Sequence, residues 1–563
     1  MRALLALLAV SASALAQTAV PPAERVGFAA IGQESLKKDL TYLSSDALGG
    51  RMSLQPGDEE ATRWVAEQFR AAGLKTVFKD ASGAGTYLEP FTLVEYRPDR
   101  AATTISMMRA GKSTVWQAPA AFGSFKHAVD LTAPVVFAGF GITAPELGYD
   151  DYAGVDVKGK IVLIFDHEPQ EDDERSVFNG KGNTRYATAR VKILNAQAHG
   201  AVAVLIAPEP NRKHLTNAER SARIGGSIAR AVPIPGQAIL EDEVAIPSAT
   251  VMDSVVAALF GSAPVTASVA QTAIDAGLKP QSMPLPDTSV TLHLKNVSER
   301  TGVTNNVVGL LEGSDPTLKA ETILISAHHD HDGMAECPDP AHPPVEVPAD
   351  PHPCPQIWHG ADDNGSGTVG VVALARAFAL NPTRPKRSIL FVVFASEERG
   401  LLGAFWLAAH PVRPLATTRA QINFDMIGRD EAASPQTDGL IEIPADTTNR
   451  LNLIGAPYSP DYDRTVKEAN KAVGLVLDDR FDHDAVLNVF FRSDQFPFVL
   501  KNVPAVWWFT GFHPDYHHTT DTVDKIDFPK MVKILRLAYL TAWDFGTEAA
   551  PPKFVANPGA AER

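Results

Sequence analysis

The sequence predicts an α/β protein in which a mixed, mostly parallel sheet is covered by helices on both faces, giving three layers, with a smaller mostly-β unit inserted. Two observations predict this fold. From Val290 to Phe545, short β-branched runs alternate with helical patterns, which is typical of a parallel or mixed sheet. From Pro134 to Thr288, short strand-type runs are separated by many Gly and Pro residues, which is typical of a compact, mostly-β unit.

The length of the chain, 563 residues, is too great for one ordinary core, so several domains are expected. We predict that residues 17–132 and 289–547 form one α/β domain, that residues 133–288 are the insert, and that residues 548–563 are a disordered tail. The formal net charge of -15 disfavours nucleic acid as a partner, because phosphate contacts need a concentrated Lys/Arg surface.

The first sixteen residues are typical of a secretory signal. Met1 and Arg2 precede an apolar run from Ala3 to Val10, and small residues then end at Ala14-Leu15-Ala16, an A-x-A cleavage pattern. The run is much shorter than the roughly 20 residues that a membrane span needs, and no later segment is long and apolar enough to span. We therefore predict cleavage after Ala16 and export to the periplasm or the medium.

Four predicted strands in the second half of the chain each run out into a residue that can bind a metal. The strands are predicted at Thr322–Ala327, Ser388–Ala395, Ala420–Phe424 and Val503–Thr510. The residues that follow them are His328, Glu398, Asp425 and His517. Strand ends of this kind meet at the carboxyl edge of an open α/β sheet, and zinc accepts both imidazole and carboxylate. The pattern predicts a metal-dependent hydrolase.

A fifth candidate ligand lies on a Gly-rich turn between the first two strands. We choose Asp362, because one carboxylate on a tight turn can bridge two ions about 3.5 to 4 Å apart, whereas Asp363 or Ser366 fits a helix cap better. Serine-hydrolase chemistry is disfavoured, since Asn364 and Thr368 stand where G-x-S-x-G needs glycine.

Two further carboxylates have predicted roles beside the ligands. Asp330 follows His328 in an H-x-D pattern and is expected to orient a histidine ring rather than to bind the same ion. Glu397 and Glu398 leave their strand in different directions, so we expect one ligand and one general base. Nearby histidines are expected to be solvent or loop residues, with His331 the main exception.

The second half of the chain resembles metallopeptidase family 28, a family of two-zinc exopeptidases. The matching stretches are Ala327–His331, Gly360–Gly367, Ser396–Gly403, Phe424–Gly428, Ser493–Phe498 and His513–His517. The segment with Tyr42-Leu43 and Gly50-Arg51 is similar to the start of this family, and the insert resembles a protease-associated domain through Asp156–Leu163 and Asn195–Ala201.

The resemblance implies two zinc ions per chain and a role for each ligand. His328 and Asp425 would hold one zinc, Glu398 and His517 the other, and Asp362 would bridge them, commonly with a cis peptide to Asp363. Glu397 would be the general base. The family motif places its last ligand four residues before an Asp-Thr pair, which selects His517 over His518.

The sequence departs from the family pattern at two places. Gln495 stands where the family usually has a histidine, so a contact of that histidine with substrate does not carry over to this chain. The loop from Cys337 to Cys354 is longer than in minimal members and is expected to overhang the site; a local disulfide between the two cysteines is its simplest interpretation in an oxidising compartment.

The function expected from this resemblance is an exported aminopeptidase that acts on peptide substrates. An alternative is a carboxypeptidase or dipeptidase of the same chemistry, which predicts an Arg cluster facing the metals from Arg399, Arg429 or Arg492. A non-catalytic binding protein would be expected to have lost ligands or base, and none is missing. The single-zinc glutaminyl cyclases are disfavoured because both sets of ligands are complete.

Overall fold

The computed structural model describes residues 20–556 apart from 217, 218, 220–233, 336–355, 435, 438 and 485, and also describes residue 558. The predicted signal segment 1–16 and the predicted disulfide between Cys337 and Cys354 lie outside the described residues. Part of the tail does not match the predicted disorder: Val555 donates a hydrogen bond from its backbone N–H to the Tyr458 carbonyl at 2.8 Å, and the Phe554 ring stacks on that tyrosine.

Two large sheets contain most of the strands, which we number in chain order. They are β1 (Leu88–Pro98), β2 (Thr104–Arg109), β3 (Lys112–Trp116), β4 (Ala121–Ser124), β5 (Val129–Phe137), β6 (Ile161–Phe165), β7 (Ala203–Ala207), β8 (Gly236–Ile239), β9 (Ser248–Val251), β10 (Met283–Leu294), β11 (Asn296–Leu311), β12 (Thr322–His328), β13 (Ser388–Phe394), β14 (Thr418–Phe424), β15 (Arg450–Ile454), β16 (Val476–Asp478) and β17 (Ala505–Phe509).

The α-helices are numbered in the same way. They are α1 (Arg25–Ala30), α2 (Gln33–Leu43), α3 (Pro56–Ala71), α4 (Ala189–Ala198), α5 (Asp253–Leu259), α6 (Ala267–Gly277), α7 (Gly367–Leu380), α8 (Leu402–Ala409), α9 (Pro460–Ala469), α10 (Phe496–Val499) and α11 (Phe528–Thr547). No single helix in the described part of the chain is long and apolar enough to cross a membrane, although the bent pair 253–262 and 267–277 would meet that test together.

The larger sheet has nine strands in the order β8-β1-β11-β13-β12-β14-β17-β15-β16. Its four central strands, β13, β12, β14 and β17, are parallel to one another. On one side β11 pairs antiparallel with β13, and on the other side β15 pairs antiparallel with β17. All seven residues of β12 and of β13 are buried, because helices cover both faces of the sheet. Helices α2, α3, α7, α9 and α11 share one core with it, while α8 and α10 pack on the opposite face. The predicted three-layer α/β/α sandwich is confirmed.

The inserted unit contains a sheet of eight strands in the order β3-β2-β10-β5-β6-β7-β9-β4, parallel in the centre and antiparallel at both ends. Its strands run from Thr104 to Leu294, a wider span than the predicted insert 133–288. The change of sequence texture near Ala133 lies inside β5 and is therefore not a domain edge. Strand β8 leaves this unit to pair with β1 of the nine-stranded sheet, which ties the two units together.

Candidate metal centre

The candidate ligands meet at the carboxyl edge of the four parallel strands of the nine-stranded sheet. His328 is the last residue of β12, Asp425 follows β14 directly, and Glu397 and Glu398 begin a short turn after β13. The loop after β17 supplies His517. Because neighbouring parallel strands end at the same edge, residues distant in the sequence come within a few ångströms of one another.

The first cluster is centred on His328, which is 1% exposed. Its Nε2 lies 3.6 Å from Asp363 Oδ1, 3.6 Å from Asp425 Oδ1 and 3.7 Å from Glu397 Oε2. Ser493 donates its hydroxyl proton to the other oxygen of Asp425 at 2.6 Å, which fixes that carboxylate. One imidazole and two carboxylates within this distance form a group that can hold a metal ion.

The second cluster is centred on His517. Its Nε2 lies 3.4 Å from Asp363 Oδ2 and 3.4 Å from Glu398 Oε2. Asp332 orients the ring by accepting a hydrogen bond from His517 Nδ1 at 2.8 Å, and His331 Nδ1 lies 2.6 Å from Glu398 Oε1. This cluster therefore offers two carboxylates and one or two imidazoles to a second ion.

Asp363, and not Asp362, is the carboxylate that the two clusters share. Its Oδ1 faces His328 and its Oδ2 faces His517, so one side chain lies between both groups. Asp362 turns away: its Oδ1 accepts a hydrogen bond from the Gly428 backbone N–H at 2.6 Å, and its Oδ2 lies 3.2 Å from His513 Nε2. The prediction of Asp362 as the bridge is therefore corrected to Asp363. The cis peptide bond joins Asp363 to Asn364 instead of Asp362 to Asp363.

The orientation of this turn is set by a carboxylate far along the chain. The backbone N–H groups of Asp362 and Asp363 both donate to Asp521 Oδ2, at 2.9 Å and 3.1 Å. Asn364 anchors the other side by donating from Nδ2 to the Phe424 carbonyl at 2.8 Å. These contacts direct the side chain of Asp363 into the site.

Asp330 holds the Glu397–Glu398 turn more directly than it holds a histidine ring. Its two carboxylate oxygens accept hydrogen bonds from the backbone N–H groups of Glu397 at 3.0 Å and Glu398 at 3.3 Å. The ring of His328 contacts Asp330 through its backbone carbonyl, 3.2 Å from Nδ1, while the carboxylate is 3.6 Å away. Asp330 therefore positions the two glutamates.

Burial and neighbouring charges shift the pKa values of the two adjacent glutamates in opposite directions. Burial raises the pKa of Glu397 well above its usual value, and the carboxylates of Asp425 and Asp494 add to this effect against the opposing His328. Burial also disfavours ionised Glu398, but His517 and His331 outweigh it and lower the pKa of Glu398 to about 2. Glu397 thus suits a group that accepts a proton, and Glu398 suits an anionic ligand.

The sequence predicted no site role for Arg51 or Asp332, and it singled out His331 only as an exception among the nearby histidines. Arg51 is fully buried and donates hydrogen bonds to the carbonyls of Leu43, His329, His359 and Gly360, which ties the N-terminal segment to two ligand loops. His331 is fully buried and touches Glu398. Asp332 links His517 to Arg399, whose Nη2 lies 2.9 Å from Asp332 Oδ1. The repeated His-Asp pair of residues 329–332 was the available signal for His331 and Asp332.

A cavity of about 360 Å³ opens from the two clusters. Its apolar walls come from Leu401, Met426, Phe491, Trp507 and Phe512. Arg492 and Tyr516 add polar atoms, and Asp363, Glu397, Glu398 and Asp425 form its inner end. Gln495, where the family pattern has a histidine, is buried and donates a hydrogen bond to the Phe490 carbonyl at 2.6 Å. The cavity therefore presents an apolar chamber next to a strongly acidic floor.

Comparisons with known proteins match two segments of the chain. Residues 306–542 match the model of peptidase family M28, and residues 131–259 match the PA domain. Leucine aminopeptidase 2 of Arthroderma otae is 28% identical over 205 residues, which cover 32% of this chain and 38% of that protein. A probable zinc metalloprotease of Pyrenophora teres f. teres is 38% identical over 112 residues, 18% of this chain and 24% of that protein. The matches therefore span well under half of these relatives.

Two aminopeptidases are among the solved structures that match this chain. The aminopeptidase from Aneurinibacillus sp. strain AM-1 has a TM-score of 0.48 at 17% identity, with 95% of this chain and 98% of that chain covered. A zinc aminopeptidase from Bacillus subtilis has a TM-score of 0.41 at 18% identity, with 94% and 99% covered.

Proposed function

We propose that this chain, which belongs to peptidase family M28 through residues 306–542 and carries a PA domain in residues 131–259, is an exported aminopeptidase that uses two zinc ions. The observation that carries this proposal is the pair of ligand clusters joined by Asp363, with Glu397 beside them. The relatives named leucine aminopeptidase and zinc metalloprotease support the same chemistry. Export stays a prediction from residues 1–16, which lie outside the described residues.

The residues present fit two zinc ions. Buried ligand atoms of both clusters, His328 Nε2 and Asp363 Oδ2 among them, have no hydrogen-bond partner within the described residues. His328 and Asp425 would hold one ion, Glu398 and His517 the other, and Asp363 would contact both. When bound, the zinc ions polarise the scissile carbonyl and lower the pKa of the attacking water.

The protein groups supply positioning and proton transfer. Glu397 takes a proton from the attacking water and returns it to the leaving amine, a role that fits its place at the inner end of the cavity beside His328. Asp330 holds Glu397 at the required place through the backbone N–H of that residue. The apolar walls of the cavity, among them Met426 and Phe512, exclude water and accept an apolar side chain of the substrate.

The acidic floor of the cavity favours the amino end of a peptide over the carboxyl end. The carboxylate oxygens there can accept hydrogen bonds from a free amine even when two zinc ions balance their charge, whereas a free carboxylate needs a side-chain cation facing it. Two of the three candidate arginines are engaged elsewhere: Arg399 pairs with Asp332 and Arg429 pairs with Asp515, each at 2.9 Å. Arg492 lines the cavity and is the feature that favours the alternative, a carboxypeptidase or dipeptidase.

A panel of short peptides tests the proposal. We expect peptides with a free amino terminus and an apolar first residue to lose that residue, with or without an amidated carboxyl terminus. Amino-acetylated versions should react at least about 100-fold more slowly, because acetylation removes N–H donors that the carboxylate oxygens of the site would accept. Release of the last residue from amino-acetylated peptides, blocked by carboxyl amidation, would overturn the aminopeptidase assignment and support the alternative.

A further inference from the structure

A second cluster of histidines and carboxylates lies in the inserted unit, at the carboxyl ends of β6 and β7. These two strands are neighbours and parallel, with Phe165 opposite Ala207 at their last register position. His167 follows β6 after one residue, and Glu209 follows β7 after one residue. The layout repeats that of the nine-stranded sheet, where parallel strands also bring ligand-type residues to a common edge.

Four side chains converge there from two loops: His167, Glu171, Glu209 and His214, whose ligand atoms all lie within 4.8 Å of one another. His167 Nδ1 lies 2.6 Å from Glu171 Oε1 and 3.8 Å from Glu209 Oε1. His214 Nε2 lies 2.9 Å from Glu171 Oε2 and 4.0 Å from Glu209 Oε1. Ligand atoms about 2.0–2.1 Å from a tetrahedral zinc ion lie about 3.3 Å apart, so these separations bracket the required spacing.

One atom of this cluster points inward without a hydrogen-bond partner among the described residues. Glu209 is 4% exposed, and its Oε1 has none, whereas His214 Nε2 lies within hydrogen-bonding distance of Glu171. The opposite nitrogen of the His214 ring lies 2.9 Å from the Leu215 carbonyl and is therefore the one that carries the proton. The lone pair of Nε2 then faces two carboxylates, an arrangement that requires a cation between them.

The neighbouring basic side chains form ion pairs or hydrogen bonds with groups outside the cluster's carboxylates. Lys213 pairs with Asp172 at 2.6 Å, and Arg212 pairs with Asp253 at 2.8 Å. Lys192 is buried and donates hydrogen bonds to the backbone carbonyls of Phe165 and His167. The cation that balances Glu171 and Glu209 is therefore either a proton on each imidazole or a bound metal ion.

We propose that His167, Glu171, Glu209 and His214 form a zinc site in the inserted unit, separate from the two clusters of the nine-stranded sheet. Two imidazoles and two carboxylates are a zinc-type ligand set, and two carboxylates balance the charge of one dication. The ion enters from a cavity of about 320 Å³ lined by Glu171, Glu209 and His214. With four protein ligands the site is closed and structural, and it joins loop 166–171 to loop 209–214.

Metal analysis of the full-length protein tests this site. The protein is loaded with Zn²⁺, dialysed against metal-free buffer, and its zinc content per chain is compared with that of a Glu209→Gln, His214→Gln double variant. We expect the variant to hold one zinc fewer than the wild type. The control is Lys213→Gln, which changes the residue next to His214 without removing a ligand and should keep the wild-type zinc content. Equal zinc content in all three proteins would overturn the proposal.

A second measurement covers the case in which the double variant does not fold. The single variant Glu171→Gln keeps the size of the side chain but removes one charged ligand. Added Zn²⁺ should raise the thermal midpoint of the EDTA-treated wild type more than that of Glu171→Gln, because an ion bound only by the folded state stabilises it. Equal shifts for the two proteins would mean that protons occupy the cluster. Both tests rest on differences from the wild type and do not depend on the proposed aminopeptidase activity.

Discussion

The two metal-type sites of this molecule have the same origin in the fold but different surroundings. Both lie at the carboxyl ends of adjacent parallel strands, where His and acidic side chains from separate loops meet. In the nine-stranded sheet, Asp363 is shared between two clusters, and a glutamate with a raised pKa lies beside them. In the inserted sheet, four side chains face one point.

The surroundings favour the proposed catalytic role for one site and the proposed structural role for the other. The clusters of the nine-stranded sheet open into a chamber with apolar walls, so a substrate side chain can enter next to the proposed ligands. At the inserted site, Glu171 and Glu209 face both histidines, and the four protein ligands leave a zinc ion no position for substrate. A shared carboxylate and an apolar chamber therefore distinguish the edge proposed to be catalytic from the one proposed to be structural.

The largest expected effect comes from the shared carboxylate. Asp363→Asn should weaken zinc binding in both clusters of the nine-stranded sheet and lower activity by more than the loss of about 100- to 10,000-fold expected when the base is removed. The matched variant is Asp362→Asn, whose side chain faces Gly428 and His513. Zinc content and kcat/KM would be measured for both. The zinc of the inserted site should remain in each variant. Loss of zinc from Asp362→Asn, with retention in Asp363→Asn, would restore the original assignment of the bridge.

The second effect separates chemistry from metal binding. Glu397→Gln keeps the shape of the side chain but removes the proton acceptor, so activity should fall about 100- to 10,000-fold. Zinc content should equal that of the wild type, because Glu397 is the base and not a ligand in the proposal. The measurements are kcat with a free amino-terminal peptide and zinc per chain. Near wild-type turnover would remove Glu397 from the mechanism.

Apolar runs in the sequence predicted the fold and the edge at which the site lies. The four strands occur within one or two residues of their predicted bounds, so His328, Asp425 and the Glu397–Glu398 pair were placed correctly at strand ends. A period-2 or continuous apolar run identifies a strand and its end without any knowledge of tertiary contacts. The predicted place of these residues therefore followed from local sequence alone.

The choice between Asp362 and Asp363 could not be made in this way. Both lie on one tight turn, and their side-chain directions depend on hydrogen bonds to Asp521, which is 158 residues beyond Asp363. The edge of the insert was missed for a similar reason, since β10 closes its sheet only by pairing with the distant strands β2 and β5. Long-range pairing decides both features, and no local pattern reports it.

A smaller effect concerns the carboxylate that orients His517. Asp332→Asn keeps the hydrogen-bonding shape but removes the charge that accepts from His517 Nδ1 and pairs with Arg399. Removal of such an outer partner of a metal-binding histidine typically costs about 10- to 100-fold in metal affinity or activity. We expect a loss of that size in zinc affinity, measured by chelator competition, with a parallel loss in activity at limiting zinc that saturating zinc restores.

The zinc site proposed in the inserted unit allows a matched comparison with Asp332→Asn. His167 Nε2 lies 3.4 Å from Asn488 Nδ2. Asn488 belongs to the unit that contains the nine-stranded sheet, and its side chain is uncharged. Because Asn488 carries no charge and its contact with His167 is long, Asn488→Ala should have little effect on the zinc affinity of the inserted site. The loss should be smaller than the loss that Asp332→Asn causes at the clusters of the nine-stranded sheet. A larger loss in Asn488→Ala would mean that the inserted zinc site depends on the contact between the two units rather than on its own four ligands.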